Sequence, residues 1–94
     1  GMKIMEPAID LGIAMAIASS FKNRAIDDRL IAIGEVGLSG EVRGVSQIQA
    51  RVSEAKKLGF KSCVIPYVCM DSVKEIAGIK LIGVKSVGDA IDLI

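Results

Sequence analysis

Gly34-Glu35-Val36-Gly37-Leu38-Ser39-Gly40-Glu41-Val42-Arg43 is the stretch whose reading decides the fold. Glycines at 34, 37 and 40, with Gly44 just beyond, interrupt an alternation of the apolar residues Val36, Leu38 and Val42. Glycine supplies backbone angles closed to other residues, and alternation gives a strand one buried face. The pattern therefore predicts two short strands around a tight turn. Just upstream, Leu30-Ile31-Ala32-Ile33 is a continuous apolar run of strand length leading straight into the hairpin, as expected of a central strand.

Working outward from this centre, Glu6 to Lys22 reads as a first helix, with Pro7 at an early helical position and Asn23 or Arg24 at its end. Ile9, Leu11, Ile13, Met15 and Ile17 leave it almost no polar face, so it is expected to be buried, and Gly12, Ala14, Ala16 and Ala18 allow close approach. Phe21 to Asp28 reads as an exposed loop. A second helix is expected from Ser46 to Leu58, closed by Gly59 in the left-handed region. Val45, Ile48, Val52 and Ala55 form its buried stripe and Arg51, Glu54 and Lys57 its wet side, with Gln49 at the border pointing toward the hairpin. Ser62 to Ile65 is a short buried strand ended by Pro66, Asp71 to Ala77 a short helix, Lys80 to Val84 a strand. Ser86 to Ile94 is a last helix, capped by Ser86 and Asp89. The alternation argues for an α/β fold with parallel pairing.

At 94 residues this is one domain with an aliphatic core: apolar residues make up 51%, and the aromatics are Phe21, Phe60 and Tyr67. The net charge of +1 announces no general affinity for nucleic acid or membranes. The apolar run from Leu11 to Phe21 is well short of the roughly 20 residues of a membrane span, so a soluble domain is expected. No histidine occurs, which excludes imidazole-paired nucleophiles and histidine metal centres but leaves a serine–lysine pair open. Cys63 and Cys69 lack the companions of a zinc site or a disulfide framework and are expected as reduced thiols. Gly1 ahead of Met2 reads as a cloning scar.

The glycine run matches neither nucleotide-binding pattern, G-x-x-x-x-G-K-[ST] or G-x-G-x-x-G. Glu35 and Glu41 read as solvated charges on strand edges and not as an acid–base pair. Between Arg43 and Lys61, five cations (Arg43, Arg51, Lys56, Lys57, Lys61) face one acid, Glu54. That local excess is the candidate DNA contact, reading backbone and not sequence, with an ordinary basic helix face as the plainer alternative.

Several blocks together resemble the C-terminal domain of the bacterial RadA (Sms) family. They are Glu6-Pro-Ala-Ile-Asp-Leu with the helix ending Ala-Ser-Ser-Phe, the hairpin itself, Ala55-Lys-Lys-Leu-Gly-Phe-Lys, and Val64-Ile-Pro. That domain is similar to the proteolytic domain of Lon, with its ribosomal-protein-S5-domain-2-like fold: a mixed sheet packed with helices. Lon works with a serine–lysine dyad. Counting without gaps from the hairpin, Ala8 falls on the serine position and Gln49 on the lysine position. Alanine carries no nucleophile and a glutamine amide is no base, so the resemblance implies a domain without the peptidase dyad and with no cofactor of its own.

The resemblance further implies a parent with a zinc-binding segment and a RecA-like ATPase domain, neither of which occurs here. ATP, magnesium and zinc would belong to those parts. The parent would act in the cytoplasm on single-stranded or branched DNA in recombinational repair, as a hexameric ring. This domain would be a non-catalytic scaffold and auxiliary DNA contact. Two alternatives stay open: a serine–lysine peptidase with a displaced dyad, and an oligomerisation module without DNA contact.

Overall fold

The computed structural model describes residues 6–74 and 76–94. A 3-10 turn, Pro7–Ile9, leads into helix α1 (Asp10–Lys22), which stops at Asn23 in the left-handed conformation. Strand β1 (Leu30–Ala32) follows, then the hairpin strands β2 (Glu35–Val36) and β3 (Val42–Arg43), and helix α2 (Ile48–Lys57). Strand β4 (Ser62–Pro66), a 3-10 helix (Tyr67–Ser72), strand β5 (Lys80–Val84) and helix α3 (Val87–Ile91) complete the chain. Gly1 and its reading as a scar lie outside the described residues.

The main sheet has the order β1-β4-β5, all parallel, with Leu30 aligned to Ser62 and Ser62 to Lys80. Its two faces carry alternate residues, as a period of two requires. Ile33, Cys63 and Ile65 join Ile48, Val52 and Ala55 of α2, with Cys69 and Ile79. Val64 and Val84 join Leu11 and Met15 of α1, Val42 of the hairpin and Ala90 of α3. The result is three layers, α2 on one face and α1 with α3 on the other.

The central strand is β4, not β1. Cys63, Val64 and Ile65 are wholly buried, whereas Leu30, Ile31 and Ala32 are only half-buried. An apolar run of four residues cannot distinguish the middle of a sheet from an edge covered by helices. The expected burial of α1 is likewise corrected: only Leu11 and Met15 face the core. Ile9 (46% exposed), Ile13 (46%), Ile17 (54%) and Phe21 (86%) recur every fourth residue and form one outward apolar stripe.

The hairpin forms as the glycine pattern predicts, with Glu35 opposite Arg43 and Val36 opposite Val42. The Gly37 N–H donates to the Glu41 carbonyl (2.8 Å), and Gly40, at φ +81, closes the turn by donating to the Gly37 carbonyl (3.0 Å). Leu38 sits at the tip, fully exposed, and takes no part in the buried face. The β3 side of the hairpin is anchored to the segment that opens α3: Val42 N–H donates to the Lys85 carbonyl (2.9 Å) and Val87 N–H to the Gly40 carbonyl (2.8 Å).

Smaller expectations also change. Helix α2 begins at Ile48, two residues inside the expected Ser46 start, with Gln47 ahead of it in a left-handed conformation and giving no side-chain cap; Gly59 closes it at φ +101 as expected. The short helix placed at Asp71 to Ala77 is instead the 3-10 helix beginning directly after Pro66. Ser86 caps α3 by accepting from the Asp89 N–H (3.1 Å), while Asp89 reaches past it to the Lys85 N–H (3.0 Å). Both cysteines are free and buried, and burial pushes the Cys63 thiol from 9.0 up to about 11.

Candidate functional site

Where β1 gives way to the hairpin, Gly34 is pinned on both sides. Its N–H donates to the Ala8 carbonyl (2.8 Å) and its carbonyl accepts from Leu11 N–H (3.0 Å), so the turn before α1 docks directly on the end of the strand. The Asp10 carboxylate adds a bond from the Val36 N–H (3.2 Å). A small cleft of about 150 Å³ lies here, lined by Glu6, Ala8, Glu35, Gly44, Ser46 and Arg51 among others.

Ala8 contributes only its buried methyl group and packs in the same cluster as Ile48 and Val52 of α2. Arg51 lies across the cleft, its Nε donating to the Ser46 carbonyl (2.8 Å) and its Nη2 paired with Glu6 (3.1 Å). A guanidinium does not deprotonate at ordinary pH, so beside Ser46 it supplies charge and no base. Gln49 does not point to the hairpin: its Oε1 accepts from the Lys74 N–H (2.8 Å), because the first turn of α2 faces the segment after the 3-10 helix. The structure thus places Ala8 in the cleft and Gln49 outside its lining.

On the hairpin, Arg43 gathers both carboxylates that sequence reading treated as separate surface charges. Its Nη2 lies 2.9 Å and its Nε 3.2 Å from Glu41 Oε2, and its Nη1 is 3.7 Å from Glu35. The Glu41 carboxyl is held below its ordinary value by the backbone N–H of Glu41 first, then by Arg43, with the Ser39 N–H (3.0 Å) adding to it. The carboxylates are brought together by a cation between them, Arg43.

The five candidate cations therefore divide. Arg43 and Arg51 are committed to carboxylates of the chain itself, whereas Lys56, Lys57 and Lys61 stand exposed at the far end of α2 and the start of β4. Sequence reading missed two neighbours of that second group, Arg29 and Lys80, since only strand register brings them alongside Lys61. It also missed an apolar groove of about 230 Å³ beside β1, lined by Ala8, Ile9, Ile31, Ile33, Ala55 and Leu58 among others. Of the exposed stripe Ile9, Ile13, Ile17 and Phe21, Ile9 alone lines this groove. Among the described residues, no group of three or more acids, cysteines or histidines is arranged to hold a metal ion.

Residues 2–68 match the family described as subunit ChlI of Mg-chelatase. The chain belongs to this ChlI family. The match takes in β4 and also the turn before α1, the hairpin and α2, the elements whose residues and flanking segments line the cleft. Relatives of this ChlI-family chain include the DNA repair protein RadA of Halalkalibacterium halodurans, 50% identical over 99% of the chain and 20% of that protein. The DNA repair protein RadA of Bacillus subtilis is 50% identical over 97% of the chain and 20% of that protein; its namesake in Synechocystis sp. is 46% identical over 97% and 18%. The chain spans about a fifth of the length of the curated relatives it matches. No described helix is long and apolar enough to cross a membrane.

Proposed function

We propose that this chain is a non-catalytic, Lon-protease-like scaffold of a RadA-type DNA repair ATPase, joining copies into a hexameric ring and adding a DNA contact. The RadA relatives match along 97–99% of the chain, past residue 68 where the ChlI match ends, which favours their name over chelatase work. The parent would act in the cytoplasm in recombinational repair, with ATP, magnesium and zinc bound by parts outside this chain.

The observation that carries the scaffold reading is the apolar surface. Ile9, Ile13, Ile17 and Phe21 line one side of α1, Leu58 stands 67% exposed, and among the described residues β1 pairs with β4 on one side only. An apolar stripe beside an open strand edge is a docking surface that an isolated domain leaves wet. Its test is the ring. In the full-length parent, Ile13→Asp with Ile17→Asp is expected to convert hexamers to smaller species in light scattering while each subunit stays folded. Hexamers of undiminished stability would overturn the reading.

The peptidase alternative finds less support. Ala8 offers a methyl group, the Gln49 oxygen is engaged by Lys74, and the basic residue lining the cleft is Arg51. A serine-directed acylating reagent that labels the folded chain stoichiometrically would reinstate it.

A further inference from the structure

We propose that the end of the sheet where β1, β4 and β5 begin is a binding rim for the phosphodiester backbone of nucleic acid. This rests on the DNA-contact reading above and moves that contact away from the hairpin. Three parallel strands start at the same end, and their first residues are linked. Lys61 N–H donates to the Arg29 carbonyl (2.8 Å) and Lys80 N–H to the Lys61 carbonyl (2.9 Å). Arg29, Lys61 and Lys80 are thereby strung across two strand spacings, about 10 Å.

Helix α2 returns from the far end to enter β4, so its last turn delivers Lys56 and Lys57 to the same rim. The Lys56 side chain passes Gly78, just ahead of β5, with Nζ 3.9 Å from where a Cβ would stand. Helix α1 also runs toward the start of β1, and Lys22 Nζ contacts the Ile91 carbonyl (3.4 Å) at the end of α3. Lys22 and Arg24 therefore extend the rim on the other face of the sheet.

Every one of these cations is exposed, and no ion pair to any of them occurs among the described residues. Among the described residues, the acids at this end are Asp27, Asp28, Glu54 and Asp92, and one oxygen of Asp27 is taken by the Arg29 N–H (2.9 Å). Among the described residues, seven cations against four acids leave an excess of three at this end. Among the described residues, the opposite end holds the acids Glu6, Asp10, Glu35, Glu41, Asp71 and Asp89 against Arg43, Arg51, Lys74 and Lys85, with Arg43 and Arg51 paired to carboxylates. The net charge of +1 thus conceals a bipolar molecule. A phosphate reaching Arg43 would have to displace a carboxylate; one reaching the rim displaces only water and counterions. Cations in the last turns of α1 and α2 also complement the helix dipoles, but that accounts for neither Arg29, Lys61 nor Lys80.

The experiment is fluorescence anisotropy of the 94-residue chain with a labelled oligothymidylate and with a duplex, each of about 30 nucleotides per strand, from about 50 to 200 mM salt. The variant Arg29→Glu/Lys61→Glu/Lys80→Glu is expected to bind both at least about tenfold more weakly at the low-salt end. Its log–log salt slope on the single strand should be shallower by about 2, at roughly 0.7 per lost contact. The milder Lys61→Gln/Lys80→Gln, checked by circular dichroism, should move both readouts in the same direction. Arg43→Gln/Arg51→Gln should leave them unchanged. Binding lost in that pair but kept in the rim variants would overturn the rim and preserve the DNA reading. No binding by the unaltered chain at low salt would overturn both.

Discussion

Replacing Gly34 by alanine isolates the close packing on which the hairpin rests. Gly34 is not among the residues with positive φ, so alanine meets no backbone penalty there. The effect must come from space. A Cβ at this position would stand 3.0 Å from Val42 Cγ1, 3.2 Å from Leu11 Cδ2 and 3.4 Å from Leu11 Cβ. Leu11 is wholly buried and Val42 nearly so, and the Gly34 backbone is held by bonds of 2.8 and 3.0 Å to the turn before α1 and to α1 itself. Overpacking of this kind costs about 1–3 kcal/mol, offset by about 0.4–1 kcal/mol from the stiffer unfolded chain. The expected net loss is about 1–2 kcal/mol, a fall of roughly 4–16 °C in Tm for a domain of this size. Urea denaturation gives the stability directly. Val42→Ala removes the nearest obstacle, so the double variant should be less destabilised than the sum of the singles, by at least about 0.5 kcal/mol. A neutral Gly34→Ala, or strictly additive singles, would refute the claim that α1, β1 and β3 meet at van der Waals contact around this glycine.

Two further outcomes concern ionisation. The Cys63 thiol, pushed from 9.0 up to about 11 by burial, stays protonated in the folded chain while the unfolded thiol ionises, so stability should fall as pH rises from about 9 to about 11. The total is on the order of 2 kcal/mol, and Cys63→Ala should abolish this part of the pH dependence; below pH 8 the folded thiol should resist alkylating reagents that modify it after unfolding. Glu41, held below its ordinary value of 4.5, stabilises the hairpin above that pH and ceases to as pH falls through its folded value. A carbon-13 titration of its carboxyl should give a midpoint under 4.5 that rises in Arg43→Gln; an unmoved midpoint would remove Arg43 from the account.

The residues that were legible in the sequence are those whose local chemistry leaves one choice. Gly40 had to adopt a positive φ for the turn and Gly59 for the end of α2, and both do. Ile48, Val52 and Ala55 fall on one helical stripe, and that stripe is buried. Ser86 heads a helix because its hydroxyl meets the Asp89 N–H. Lys80 to Val84 is a strand with the boundaries its pattern gives.

What the sequence left open were relations between elements. Local pattern says that Leu30 to Ala32 is a strand; only pairing of β4 on both sides says that it is an edge. An apolar helix can be surrounded or can expose a stripe, and only the packing of Leu11 and Met15 against the sheet turned Ile9, Ile13, Ile17 and Phe21 outward. The basic stretch from Arg43 to Lys61 is continuous in sequence yet divides in space, because α2 carries the chain from one end of the sheet to the other. Chain order fixes the charge of each residue. Strand register and helix direction decide which charges share a surface, and so leave Arg43 and Arg51 among acids while Arg29, Lys61 and Lys80 meet at the rim.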